Sequence, residues 1–245
     1  MGIPVLILGE SGSGKTASLR NFSETEIGIF SVAGKPLPFK KKLVVAKVPK
    51  ANPYQYITNL LPRVNAQSVA IDDSQYLMTF NLFARAKEKS YDKFTEIGLS
   101  FYNLIQSVIN LDDNKIVYFL HHTETTDAGI VKAKTVGKML DNQLCLEGLF
   151  SIVILCKIID GQHFFITQSD GFSTTKSPMD MLPRQMDNDL KLVDQEIRNY
   201  WGLTEARSQA QAPQTISQPQ TQQTTHQAIQ QQPQQTAIQP SEAAA

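Results

Sequence analysis

Gly9-Glu10-Ser11-Gly12-Ser13-Gly14-Lys15-Thr16 satisfies the spacing G-x-x-x-x-G-K-[ST] at every fixed position. It lies between a nearly all-apolar run, residues 3–8, and a stretch from residue 16 that starts a short helix. A strand that feeds such a loop and leaves through a helix points backbone N–H groups inward at an anion. Gly9, Gly12 and Gly14 let the backbone approach phosphate oxygens through torsions a Cβ would obstruct. Lys15 neutralises charge on the two outer phosphates, and the Thr16 hydroxyl is placed to ligate Mg²⁺. Residues 9–16 as a set, including Glu10, Ser11 and Ser13, form the expected cradle for the triphosphate of ATP.

A Mg²⁺–triphosphate site also needs a carboxylate at the carboxyl end of a neighbouring strand. Ser68-Val69-Ala70-Ile71-Asp72-Asp73 supplies one. Asp72 is the expected metal-side ligand, and Asp73 is the candidate that orients or deprotonates the attacking water. A further apolar run ends in His121-His122-Thr123-Glu124, where polar groups beyond a strand's carboxyl end can reach the terminal phosphate. His122 and Glu124 are therefore candidate sensors of hydrolysis. Residues 127–141 read as a long loop carrying Lys132, Lys134 and Lys138, which can track a nucleic-acid backbone or form a solvated charged face. Lys40-Lys41-Lys42 reads as the solvated flank of the following strand. Lys176, just past an expected edge strand, is placed to reach a neighbouring subunit's nucleotide, the role arginine fingers take, or to remain a surface lysine.

Up to residue 204 the chain alternates apolar runs with helical patterns, which predicts an α/β fold with a mainly parallel sheet covered by helices. Strands are expected over residues 3–8, 27–32, 43–48, 68–72 and 115–120, and helices over 53–61, 76–89, 94–110 and 188–201. Residues 149–159 and 163–168, joined by Asp160-Gly161-Gln162, predict a C-terminal β-hairpin. Residues 205–245 form a Gln/Pro/Thr-rich tail without Phe, Tyr or Trp and with few large aliphatic side chains, Ile229 and Ile238 among them. Such a segment cannot bury enough apolar area to offset chain entropy, so disorder is expected there and residues 1–204 form the domain.

Charge and cysteine usage narrow the function classes. With 23 basic and 23 acidic residues the chain does not coat nucleic acid by bulk charge, although a local basic patch stays open. Cys145 and Cys156 are too few for a disulfide framework and read as small buried apolar residues. No run approaches the ~18 apolar residues of a membrane span, and the first residues do not read as a secretory signal, so a cytoplasmic location without membrane partners is expected.

The order of these features resembles the phage-encoded RecA-like, AAA-type P-loop ATP-binding proteins. The features are the phosphate loop, the strand ending Ile71-Asp72-Asp73, the strand ending His121-His122-Thr123-Glu124, the lysines of 134–138 and the hairpin leading to Thr175-Lys176-Ser177-Pro178. The resemblance covers about residues 3–201 and implies a RecA-like core, ATP and Mg²⁺ as ligands and hydrolysis to ADP and phosphate. Some relatives anneal single-stranded DNA, which implies a role in phage recombination or replication, a homo-oligomeric ring or filament, and a bacterial host cytoplasm. The tail would then contact a single-strand-binding or replication protein. Two departures stand out. RecA-like enzymes often carry a water-activating Glu at the end of a strand preceding the Asp strand, whereas residues 43–48 run into Pro49-Lys50; hydrolysis is then slow, or depends on Asp73 or Glu124. The relatives' basic pair at the loop end is reduced to Lys176.

Two other classes share the phosphate loop. A small-molecule kinase would carry clustered arginines in a lid, whereas Arg63, Arg85, Arg184, Arg198 and Arg207 are scattered. A nucleotide-bound scaffold without turnover would recruit replication partners through the tail. A GTP switch lacks its base-reading motif, since Asn114-Lys115-Ile116-Val117 has no final acid.

Overall fold

In the computed structural model, which describes residues 1–137, 140 and 144–203, the apolar run that opens the chain becomes β1 (Ile3–Gly9), buried from Val5 onward. It lies between two parallel neighbours, β5 (Ile116–Thr125) and β7 (Ile152–Ile159), as a strand with no polar face must. On the far side of β5 follow β4 (Ser68–Asp72), β2 (Ile27–Ser31) and the edge strand β3 (Val44–Lys47), all parallel. Beyond β7 the sheet turns antiparallel through β8 (Gln162–Ile166) and β9 (Gln185–Asp187). The fold is thus α/β, a mostly parallel sheet flanked by helices and closed by a hairpin.

Side-chain alternation along the strands assigns the two faces. Leu6 and Leu8 of β1, Val69 and Ile71 of β4, and Val117 and Phe119 of β5 pack on one side. Their partners come from α1 (Pro53–Leu60), α2 (Gln75–Ala84) and α3 (Asp92–Ile109), whose stripe Ile97, Phe101, Leu104, Ile105 and Val108 faces the sheet. Val5, Ile7, Ala70, Tyr118 and Leu120 point the other way, against Leu19, Phe22 and the Leu190, Val193 and Ile197 stripe of α4 (Leu190–Tyr200). Asp189 caps α4 by accepting from the Lys191 N–H at 3.0 Å.

The structure departs from the sequence reading in several places. The stretch after Lys15 is not an α-helix but a six-residue 3₁₀ segment, Thr16–Asn21. β5 does not stop at Leu120. It continues through the polar residues to Thr125 because β6 (Val131–Ala133) pairs with it antiparallel, Glu124 opposite Lys132. The expected loop at 127–141 is therefore partly a hairpin, turned at Gly129 (φ +78°), whose N–H donates to Thr126 O at 2.8 Å. The hairpin between β7 and β8 has a two-residue turn with positive φ at both Asp160 and Gly161. α2 ends at Ala84, and Pro62 converts the end of α1 into a 3₁₀ turn. Lys138 and residues 204–245, the expected tail among them, lie outside the described residues. Among the described residues no helix is long and apolar enough to cross a membrane.

Candidate nucleotide site

Parallel pairing brings the carboxyl ends of β1, β4 and β5 together and sets Gly9 opposite His122. In the glycine-rich loop, Gly12 (φ +83°) and Gly14 (φ +103°) occupy backbone space that side-chain-bearing residues rarely adopt. A Cβ on Gly14 would also press on His163 Nδ1 at 2.9 Å and Asn188 Oδ1 at 3.1 Å. Gly9 needs no unusual torsion; a Cβ there would collide with Ser13 Oγ beneath the loop. Gly12 and Gly14 thus serve conformation, and Gly9 serves packing.

Lys15 is 6% exposed, and its ammonium donates to the carbonyls of Gly9 and Glu10, both at 2.7 Å. Burial lowers its pKa. The Thr16 hydroxyl donates to Asp72 Oδ1 at 2.8 Å, across 56 residues of sequence. Asp72 is buried, which raises its pKa against the opposing effect of that hydrogen bond. Asp73 follows at φ +60° and points into the same cleft, bonded to His122 Nε2 at 3.1 Å and to Lys35 Nζ at 2.9 Å. Burial alone would raise the Asp73 pKa, but the hydrogen bonds from His122 and Lys35 outweigh it and hold the carboxylate below its ordinary range.

The cleft has a volume of about 300 Å³ and is lined by Gly12, Gly14, Lys15, Thr16, Asp72 and Asp73, with Lys35, His122 and His163 at its walls. Among the described residues no group of three or more His, Cys, Asp and Glu side chains is placed to hold a metal unaided. Thr16 and Asp72 are hard oxygen donors, the set that suits Mg²⁺ when phosphate oxygens and water complete its shell. The residues present therefore fit Mg²⁺ and a triphosphate together.

Four of the other residues singled out from sequence, Glu124, Lys132, Lys134 and Lys176, are not among those that line this cleft. Glu124 pairs with Lys132 at 3.0 Å across the β5–β6 hairpin and lines an adjoining cavity with Gln75, Tyr76 and Lys134. Lys176 is partly buried and exchanges backbone hydrogen bonds with Val153, at 2.8 and 2.9 Å.

Lys35, His163 and Asn188 were not singled out by sequence reasoning. Lys35 comes from the loop after β2, brought over the sheet end because Val32 N–H bonds to Asp72 O at 3.1 Å. His163 Nδ1 lies 2.8 Å from the Ser13 carbonyl oxygen, so the ring donates there and fastens the loop to β8. Neither belongs to a local pattern; the glycine at 34 (φ +69°), which turns the chain just before Lys35, was the one sequence cue to the first.

No family model matches the chain, and no curated protein matches it. Among solved structures it is similar to a KaiC-like protein from the hyperthermophilic archaeon Pyrococcus horikoshii, with a TM-score of 0.43 and 16% sequence identity over 67% of this chain and 77% of that one.

Proposed function

We propose that the chain is a RecA-like P-loop ATPase that binds Mg·ATP in this cleft and hydrolyses it. The observation that carries the proposal is the Thr16–Asp72 hydrogen bond beneath the loop that holds Lys15. It presents two oxygen ligands at the place where a metal must meet the outer phosphates. Mg²⁺ there supplies charge neutralisation across those phosphates. Gly12 to Gly14 offer backbone N–H groups, Lys15 leaves its two carbonyls to neutralise phosphate charge, and Asp73 orients the attacking water. Glu124 and Lys176 remain candidates, Glu124 by way of His122, which shares its cavity, and Lys176 toward a neighbouring subunit's nucleotide.

On the same reading the protein acts on single-stranded DNA as a homo-oligomer in phage recombination or replication. Lys132, Lys134 and Lys138 would contact phosphates. Phe172, 67% exposed, supports the DNA role: its carbonyl accepts from Val131 N–H at 2.8 Å, so an open aromatic face lies beside the lysine strand, where a base can stack. The segment 205–245 would recruit a single-strand-binding or replication protein.

The test is ATP turnover with and without single-stranded DNA at several salt concentrations, in wild type and Lys15→Ala. DNA-stimulated turnover that weakens with salt and vanishes in Lys15→Ala is expected. Equal ATP binding by both proteins would rule out the site, and salt-insensitive, DNA-independent turnover would rule out the nucleic-acid role. A small-molecule kinase has one observation in its favour, a second cavity of about 300 Å³ beside Glu10 and Ser11, lined by Lys157, Asp170 and Phe172. Turnover without any acceptor argues against it.

A further inference from the structure

Two cations line the cleft among the described residues, Lys15 and Lys35, and no arginine does. Lys15 belongs to the loop. Lys35 does not, and its circumstances are unlike those of a surface lysine. Gly34 takes a left-handed turn immediately before it, and Pro36 and Pro38 follow it on the cleft wall. The side chain, 58% exposed, reaches back over the sheet end to Asp73 at 2.9 Å and lies 5.5 Å from the centre of the Tyr76 ring. A cation tethered by a proline-stiffened loop is thus aimed at the carboxylate that would hold the attacking water. In the free protein it is held there by charge.

Resting on the reading of this cleft as a triphosphate site, we propose that Lys35 is a ligand of the terminal phosphate, supplied by the same chain, that exchanges Asp73 for the γ-phosphate when ATP binds. The side chains of Lys15, Lys35, Asp72 and Asp73 sum to no net charge, so a triphosphate, whose charge exceeds that of one Mg²⁺, draws both ammonium groups to itself. Lys15 can leave its two carbonyls without stranding a charge. Lys35 can leave Asp73 because His122 still donates to the other carboxylate oxygen.

The exchange has two consequences. ADP lacks the group Lys35 moves to, so Lys35 discriminates ATP from ADP. Asp73, no longer paired with Lys35, has a carboxylate oxygen free to hold the water, while His122 keeps the other. In the step itself the water oxygen bonds to Pγ as the bond from Pγ to the bridging oxygen breaks, and that bond's electron pair stays on the β-phosphate of ADP. The water proton passes to Asp73 and from there to solvent. Lys35 offsets the charge on the transferring group in the place an arginine finger would take.

The experiment measures Mg·ATP and Mg·ADP affinities by titration calorimetry, and kcat and KM for hydrolysis, in wild type, Lys35→Ala, Lys35→Arg and Asp73→Asn. Lys35→Ala is expected to weaken ATP about ten- to a hundredfold, the scale of a charge-assisted hydrogen bond, with ADP affinity kept within about twofold and kcat lowered. Lys35→Arg restores part of the preference for ATP. Asp73→Asn, which removes the competitor, tightens ATP several-fold while slowing turnover. Equal losses of ATP and ADP affinity in Lys35→Ala, or an unchanged ATP-to-ADP ratio, overturn the proposal. So does unchanged or weaker ATP binding by Asp73→Asn. A wild-type protein that binds neither nucleotide would instead overturn the reading of the cleft.

Discussion

Adjacent histidines within β5 do different work because a strand sends neighbouring side chains to opposite faces. His122 faces the cleft and Asp73. His121 is fully buried, its Nε2 2.9 Å from the Lys134 carbonyl and its Nδ1 2.9 Å from Ser74 Oγ. Since a carbonyl only accepts, Nε2 carries the proton and Nδ1 is left to accept from the serine. Burial pushes the His121 pKa down to about 3. An unfolded chain would protonate the ring near its ordinary pKa of about 6.5, so between these values the unfolded state holds the extra proton. The stability this histidine contributes is therefore complete above about pH 6.5 and is lost as pH falls toward 3, at up to about 1.4 kcal/mol per pH unit. We expect that between about pH 7 and about pH 5 the wild type loses about 2 kcal/mol more than His121→Gln in urea denaturation, because every other titratable group is common to both proteins. Parallel pH dependences in the two proteins would contradict a neutral, buried imidazole.

Elements whose signal is local were legible in the sequence, and those formed by distant pairing were not. β1, β4 and the apolar half of β5 are runs that only a strand buried on both faces explains, and the stripe on α3 has a helical period. β6 and the polar half of β5 stabilise each other across a turn at Gly129, and neither has the apolar content to be read as a strand alone. The site divides the same way: residues 9–16 and Asp72 follow from spacing, whereas Lys35, His163 and Asn188 arrive by tertiary geometry.

α4, the helix expected over residues 188–201, also carries a polar network that no sequence pattern foretold. Arg198 Nε bonds Asp194 at 2.6 Å, its Nη groups reach Asn114 O and Ser68 Oγ, both at 2.9 Å, and Tyr118 OH donates to Asp194 at 2.8 Å. This network ties the helix to the starts of β4 and β5, at the opposite end of the strands from the cleft. Arg198→Ala strands a buried carboxylate, so we expect a loss of about 3 kcal/mol or more in urea denaturation, with the ATP affinity of the folded protein unchanged. A loss below about 1 kcal/mol would mean that Asp194 is satisfied without the guanidinium.

The cleft gathers side chains from both halves of the sheet: the loop after β1, the loop after β2, the ends of β4 and β5, and β8. Any ligand that fills it cross-links segments that the chain otherwise joins only through the sheet, and by mass action it stabilises the folded state. At a nucleotide concentration of about a hundred times Kd the gain is about 2.7 kcal/mol. For a chain of this size each kcal/mol raises the melting temperature by about 2–4 °C, which gives roughly 5–10 °C. We expect that shift with Mg·ATP, a smaller one when Mg²⁺ is chelated and Thr16 and Asp72 lose their shared ion, and none in Lys15→Ala. The same measurement tests the division of the chain. If residues 1–204 contain the whole folding unit, a chain ending at residue 204 melts at the same temperature as the full chain and gains the same increment from Mg·ATP. A lower melting temperature, or a reduced increment in the shortened chain, would place part of the folding unit or of the nucleotide site beyond residue 204.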